Sequence, residues 1–184
     1  MVGRHRLKAV DSAILIVDVQ ERLAAVMPDK DTLIKNTLHV IALAKLLQIP
    51  IVLTEQYPKG LGRTVAEIRD ALPDYKPIEK TAFSACAEDG FIGKLRECGR
   101  KKVILCGIET HICILQTCLD LIDAGYEVHV VSDCTSSRTA DNKDIGIRQM
   151  ARCAAVITSA ETVLFQLLAR AGTDEFKIIS NRIK

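Results

Sequence analysis

Short apolar runs alternate with longer amphipathic stretches along most of the chain. Aliphatic and β-branched residues dominate positions 12–19, 50–54, 103–107, 127–132 and 154–158, and such runs read as strands buried on both faces. Residues 76–80 read as a shorter strand. Between these runs apolar residues recur three and four positions apart. That period predicts helices over 31–47, 90–98, 112–124, 141–152, 161–170 and 174–183, with a short one at 65–71. Residues 58–73 begin and end in proline and hold Gly60 and Gly62, so they read as largely loop. Gly125 falls where a helix ending at 124 takes its terminal glycine.

Repeated strand–helix units predict an α/β fold: a Rossmann-like three-layer sandwich with a central, mostly parallel six-stranded sheet and helices on both faces. The 184 residues contain no internal repeat, low-complexity tract or interdomain linker, so residues 1–184 read as a single domain.

Composition narrows the class. Apolar residues make up 48% of the chain but aromatics only 4%, with no Trp, so the core must be aliphatic. The 25 basic and 23 acidic residues nearly cancel, and the densest basic stretch, 96–102, reads as a solvated loop before a strand. Neither feature points to nucleic acid. No apolar run approaches the roughly 18 residues of a membrane span. Seven cysteines and no secretory segment point to free thiols in a reducing, cytoplasmic compartment. There is no CxxC, and His111-x-Cys113 lacks the partners of a zinc deaminase site, so no metal is expected. Gly60 and Gly62 lack the third glycine of a phosphate loop, which removes a dinucleotide cofactor.

In an open parallel sheet, ligands bind beyond the carboxyl ends of the strands. The polar residues there are Asp18 and Gln20, then Glu55, Gln56 and Tyr57, then Lys80, then residues 109–113, and finally 133–138. A carboxylate, an ammonium and a thiol at one edge make a base–cation–nucleophile set. Cys113 falls where the helix after the fourth strand begins. Orphan N–H groups and the positive end of the helix dipole there are expected to favour thiolate over thiol. The other cysteines read differently: Cys106, Cys118 and Cys153 as packing residues. His39 and His129 read as satisfied structural histidines.

Four motifs now stand in order: Ile14-Leu-Ile-Val-Asp18-Val-Gln20, Glu79-Lys80-Thr-Ala-Phe83-Ser84, Gly107-Ile-Glu-Thr110-His-Ile-Cys113 and Ser132-Asp133-Cys-Thr-Ser-Ser-Arg138. Together they resemble the isochorismatase-like cysteine hydrolase superfamily, which includes nicotinamidases and N-carbamoylsarcosine amidohydrolase. The resemblance covers residues about 12 to 160. It implies a triad of Asp18, Lys80 and Cys113, and an oxyanion hole from the backbone of Glu109 and Cys113 with a cis peptide at Ile108–Glu109. It also implies a homo-oligomer acting on a small-molecule substrate.

Two departures refine the expectation. Gln56 and Pro58 stand where nicotinamidases carry an Asp-x-His metal motif, so the resemblance is to the metal-free branch, with no cofactor. Isochorismatases proper cleave a vinyl ether without a cysteine nucleophile, and Cys113 argues against that reaction. The expected activity is hydrolysis of a C–N bond in a small amide or carbamoyl-type substrate through a thioester. Gln20, Gln56, Tyr57, Phe83 and Ile108 are the candidates to line the substrate pocket. Rival readings are an oligomeric interaction protein with little or no catalysis, and an isochorismatase-type vinyl-ether hydrolase.

Overall fold

The computed structural model describes residues 5–184. Its sheet is built from β1 (Ser12–Val17), β2 (Ile51–Gln56), β3 (Ile78–Lys80), β4 (Lys102–Ile108), β5 (Glu127–Ser136) and β6 (Val156–Thr158). Every pairing between these strands is parallel, in the order β3-β2-β1-β4-β5-β6. The sheet is thus fully parallel rather than mostly so.

The helices are α1 (Glu21–Ala24), α2 (Lys30–Leu46), α3 (Pro58–Leu61), α4 (Ala66–Ala71), α5 (Phe91–Glu97), α6 (Leu115–Asp123), α7 (Ala140–Arg152), α8 (Ala160–Leu168) and α9 (Asp174–Ile183). The period-2 alternation of the strands sorts them into two layers. Ile14, Ile16, Leu53, Ile104 and Cys106 pack with α2, α4, α8 and α9. Ala13, Leu15, Val17, Val103, Leu105 and Val130 pack with α5, α6 and α7. All six residues of β1 are buried, which explains why its sequence has no polar face.

The structure departs from the sequence reading at several places. First, β5 runs to Ser136, four residues beyond the expected strand. Leu105 pairs with Val130 but Gly107 pairs with Thr135, so β5 bulges where its residues are polar. Second, Cys113 does not open an α-helix. It lies in a π-helical turn, Thr110–Ile114, that leads into α6. Third, His39 is buried on α2 with neither ring nitrogen bonded, so it is not a satisfied histidine. The short helices α1 and α3 have four residues each, too few to show a period in the sequence.

Gly107 shows why the centre of the sheet needs a glycine. Its φ is +135°, and a Cβ there would lie 2.0 Å from the Val17 carbonyl oxygen. β1 and β4 approach each other too closely at this end for any side chain.

Candidate active site

The strand order places the site. From β1 the chain moves outward to β2 and β3, then returns to the other side of β1 for β4 and moves outward again. In an open parallel sheet the place for a ligand is where the direction reverses, here beyond the carboxyl ends of β1 and β4. Asp18 follows β1, and Glu109 to Cys113 follow β4.

Asp18 leaves the sheet with φ 55°, a left-handed conformation that an aspartate tolerates better than most residues. Lys80, the last residue of β3, reaches across to it. The Lys80 Nζ lies 2.6 Å from Asp18 Oδ2, and neither side chain is exposed. β2 lies between them and serves both. The Thr54 hydroxyl donates to Asp18 Oδ1 at 2.7 Å. Two residues on, Gln56 Oε1 accepts from Lys80 Nζ at 2.6 Å. The carbonyls of Ala82 and Phe83 accept from the same ammonium at 3.1 and 3.0 Å.

The Cys113 thiol lies beside the Asp18 carboxylate, close enough for each to shift the other's proton affinity. Burial pushes this thiol up to about 12, and the Asp18 charge pushes the same way, against Lys80 and a hydrogen bond from the Glu109 backbone. This overturns the expected thiolate. The helix-terminal dipole is a weak influence beside desolvation and a neighbouring anion, so Cys113 rests as a neutral thiol. Burial likewise raises the Asp18 carboxyl above its ordinary range, although Lys80, Thr54 and Cys113 all favour its charged form. A carboxylate of raised basicity therefore faces a thiol that needs a base. The Cys113 turn rests against α7 at Gly146, where a Cβ would lie 3.0 Å from the His111 Cα.

The peptide between Ile108 and Glu109 is cis. Glu109 Oε2 accepts from the Arg138 backbone N–H at 3.0 Å and from Arg138 Nε at 3.1 Å. His111 Nδ1 lies 3.0 Å from the Ser137 hydroxyl, and the two are hydrogen-bonded to each other.

The five pocket candidates divide. Gln20 is fully buried, and its side-chain amide is committed to backbone groups. Its Nε2 donates to the carbonyls of Gln56 and Gly62 at 2.9 and 2.7 Å, and its Oε1 accepts from the Gln56 N–H at 2.7 Å. Gln56 is buried with its amide committed, Oε1 to Lys80 and Nε2 donating to the Thr81 carbonyl at 2.8 Å. Ile108 is a core residue with no exposure. Tyr57 and Phe83 are the exposed pair, each with 54% of its surface accessible. Both belong to the backbone around Lys80, since Tyr57 N–H donates to the Lys80 carbonyl at 2.8 Å and the Phe83 carbonyl accepts its ammonium.

Thr54, Thr64 and Tyr75 carry no motif that singles them out, and Glu55 stands out only as a polar strand-end residue. The available signal was Thr54-Glu55-Gln56, three polar residues closing an aliphatic strand. Among the described residues, no group of three or more His, Cys, Asp or Glu side chains could hold a metal ion. All seven cysteines are free, and no helix among the described residues is long and apolar enough to cross a membrane.

A doubly wound parallel sheet with a buried acid, ammonium and thiol at its topological switch point defines an α/β protein of hydrolase type. The chain belongs to the isochorismatase family, whose domain model matches residues 12–162. It is similar to the secreted isochorismatase effector Isc1 of Phytophthora sojae, at 44% identity over 97% of this chain and 87% of that protein. Among solved structures it resembles the MAR1 ribonuclease from Caenorhabditis elegans. That match has a TM-score of 0.89 and 35% identity, covering 97% of this chain and 92% of the other. It also resembles the YcaC gene product of Escherichia coli, described as an octameric hydrolase of unknown specificity. Here the TM-score is 0.90 and the identity 25%, over 96% and 90% of the two chains.

Proposed function

We propose that Cys113 is the nucleophile of a hydrolase that cleaves a C–N bond in a small amide or carbamoyl-type substrate, with Asp18 as its base and Lys80 as the cation that holds Asp18. The observation that carries this reading is the shared carboxylate. One oxygen of Asp18 meets Lys80 at 2.6 Å, and the Cys113 thiol lies beside the same carboxylate and feels its charge.

The steps balance without an added reagent. Asp18 takes the thiol proton as sulfur attacks the substrate carbonyl carbon. The tetrahedral oxyanion sits on the backbone N–H groups of Glu109 and Cys113. The C–N bond breaks, the amine leaves with the proton from Asp18, and a thioester remains on Cys113. Asp18 then takes a proton from water, which attacks the thioester. The acid product departs and the thiol regains its proton. Lys80 keeps the carboxylate oriented and offsets its charge through the cycle.

No metal or cofactor enters this scheme. Tyr57 and Phe83 are the side chains we place at the pocket mouth. A homo-oligomer is supported by the octamer described for Escherichia coli YcaC. Seven unpaired thiols favour a reducing compartment, and the cytoplasm is proposed on that ground.

The test is a panel of small primary amides, N-carbamoyl compounds, a vinyl ether and a synthetic RNA, offered to the parent protein and to Cys113→Ala and Asp18→Ala. Amine release lost in both variants, with an acyl adduct on the intact parent protein, supports the proposal. Turnover of amide or RNA that survives Cys113→Ala contradicts it. Vinyl-ether cleavage that needs Asp18 but not Cys113 would replace it with the isochorismatase reaction.

A further inference from the structure

Glu55 is a fully buried carboxylate that the reaction scheme does not use. It lies on β2 between Thr54, which holds Asp18, and Gln56, which holds Lys80. Its side chain gathers four donors. Glu55 Oε1 accepts from the Thr64 N–H at 2.7 Å, from the Thr64 hydroxyl at 2.8 Å and from the Tyr75 hydroxyl. Glu55 Oε2 accepts from Arg63 Nη1 at 3.0 Å, and the same nitrogen reaches Glu79, the neighbour of Lys80, at 2.6 Å. A carboxylate can accept from all four, whereas an amide would turn an NH2 toward one of them.

These bonds lead back to the reacting groups by a continuous route. Thr64 bridges to Gln20 in an antiparallel contact. Gln20 in turn clamps the Gln56 backbone at both its N–H and its carbonyl. Gln56 then holds the Lys80 ammonium. We propose that Glu55 is a positioning residue: by fixing the 57–64 loop against β2 through Thr64 and Gln20, it sets Gln56 and so keeps Lys80 against Asp18. This inference rests on the reading of Asp18, Lys80 and Cys113 given above.

The consequence is chemical as well as structural. If Lys80 drifts from Asp18, the carboxylate loses its nearest cation and stays protonated to higher pH. It then fails as the base for Cys113 in a range where it had served. A residue that only stabilised the fold would leave that titration unmoved.

The experiment follows alkylation of Cys113 by limiting iodoacetamide across pH, read by peptide mass mapping, in the parent protein, Glu55→Gln and Asp18→Asn. Glu55→Gln is expected to move the acid limb of Cys113 labelling upward by about one pH unit, which is about a tenfold slower rate on that limb. Tyr75→Phe removes one donor without altering charge, and a smaller shift in the same direction is expected should Glu55→Gln fail to fold. Folded variants that lose thermal stability but keep the parent profile would overturn the inference alone. Parent protein in which Cys113 labels no faster than the other thiols, or labels identically in Asp18→Asn, would overturn the underlying reading and this inference with it.

Discussion

The Lys80 ammonium meets the Asp18 carboxylate at 2.6 Å with no solvent exposure on either side chain. Two charges so placed are costly to desolvate, and each is tolerable only because the other is present. Removing one partner strands a buried charge. Lys80→Met and Asp18→Asn are each expected to destabilise the protein by about 3–5 kcal/mol. The double variant should lose less than the sum, because it strands no charge. Urea unfolding of the four proteins checks this, and strict additivity would count against a coupled pair.

The acid and the thiol set the pH behaviour of the site. Burial raises the Asp18 carboxyl above its usual value of 3.8, while the Cys113 thiol is pushed up to about 12. Below the Asp18 pKa the base is protonated and cannot accept the thiol proton. Turnover should therefore rise with pH through a limb above the ordinary carboxylate range, then level off well before the thiol titrates by itself. A kcat/KM profile that instead climbs with a single pKa near 9 would mean that Cys113 ionises without Asp18.

Much of the fold was legible because burial on both faces leaves little room for polar residues in the central strands. β1 and β4 could be read within two residues at each end, and α2 within one. The π-helical turn could not be read, since Ile112, Leu115, Leu119 and Ile122 keep the same apolar spacing whichever hydrogen bonds form at Thr110. Strand order was equally invisible, as it depends on crossovers rather than local pattern. Of the candidate site, Asp18, Lys80 and Cys113 are legible through the four motifs, whereas the raised thiol is not, because its burial and the neighbouring carboxylate are tertiary facts. The bonds that the Gln20 and Gln56 amides make to backbone and to the Lys80 ammonium are likewise beyond local pattern.

Gly107 is where the close approach of β1 and β4 can be tested. Gly107→Ala would place a Cβ 2.0 Å from the Val17 carbonyl oxygen at a φ of +135°. The two strands would have to part there, and a loss of at least about 3 kcal/mol is expected. Thermal unfolding reads it. A variant as stable as the parent would mean that the strands are not so close.

His39 makes the fold sensitive to mild acid. Its ring is buried on α2, both nitrogens lack partners, and burial, then Arg182 and Lys35, hold its pKa below the usual 6.5. The folded state thus binds this proton less readily than the unfolded one. Its contribution to stability is present above pH 6.5 and is lost as pH falls below that toward the folded value. The melting temperature should drop between pH 7.5 and 5.5, and His39→Leu should shrink that drop. An unchanged pH dependence in His39→Leu would show that other groups cause it.

The role of Cys113 as nucleophile, with Asp18 as its base, is tested most directly by timed iodoacetamide labelling at neutral pH in the parent protein and in Asp18→Asn. Cys113 is expected to label ahead of the other six cysteines in the parent and to slow by at least about a hundredfold in the variant, the scale of a lost general base. Labelling of Cys113 at the same rate in both proteins would contradict it.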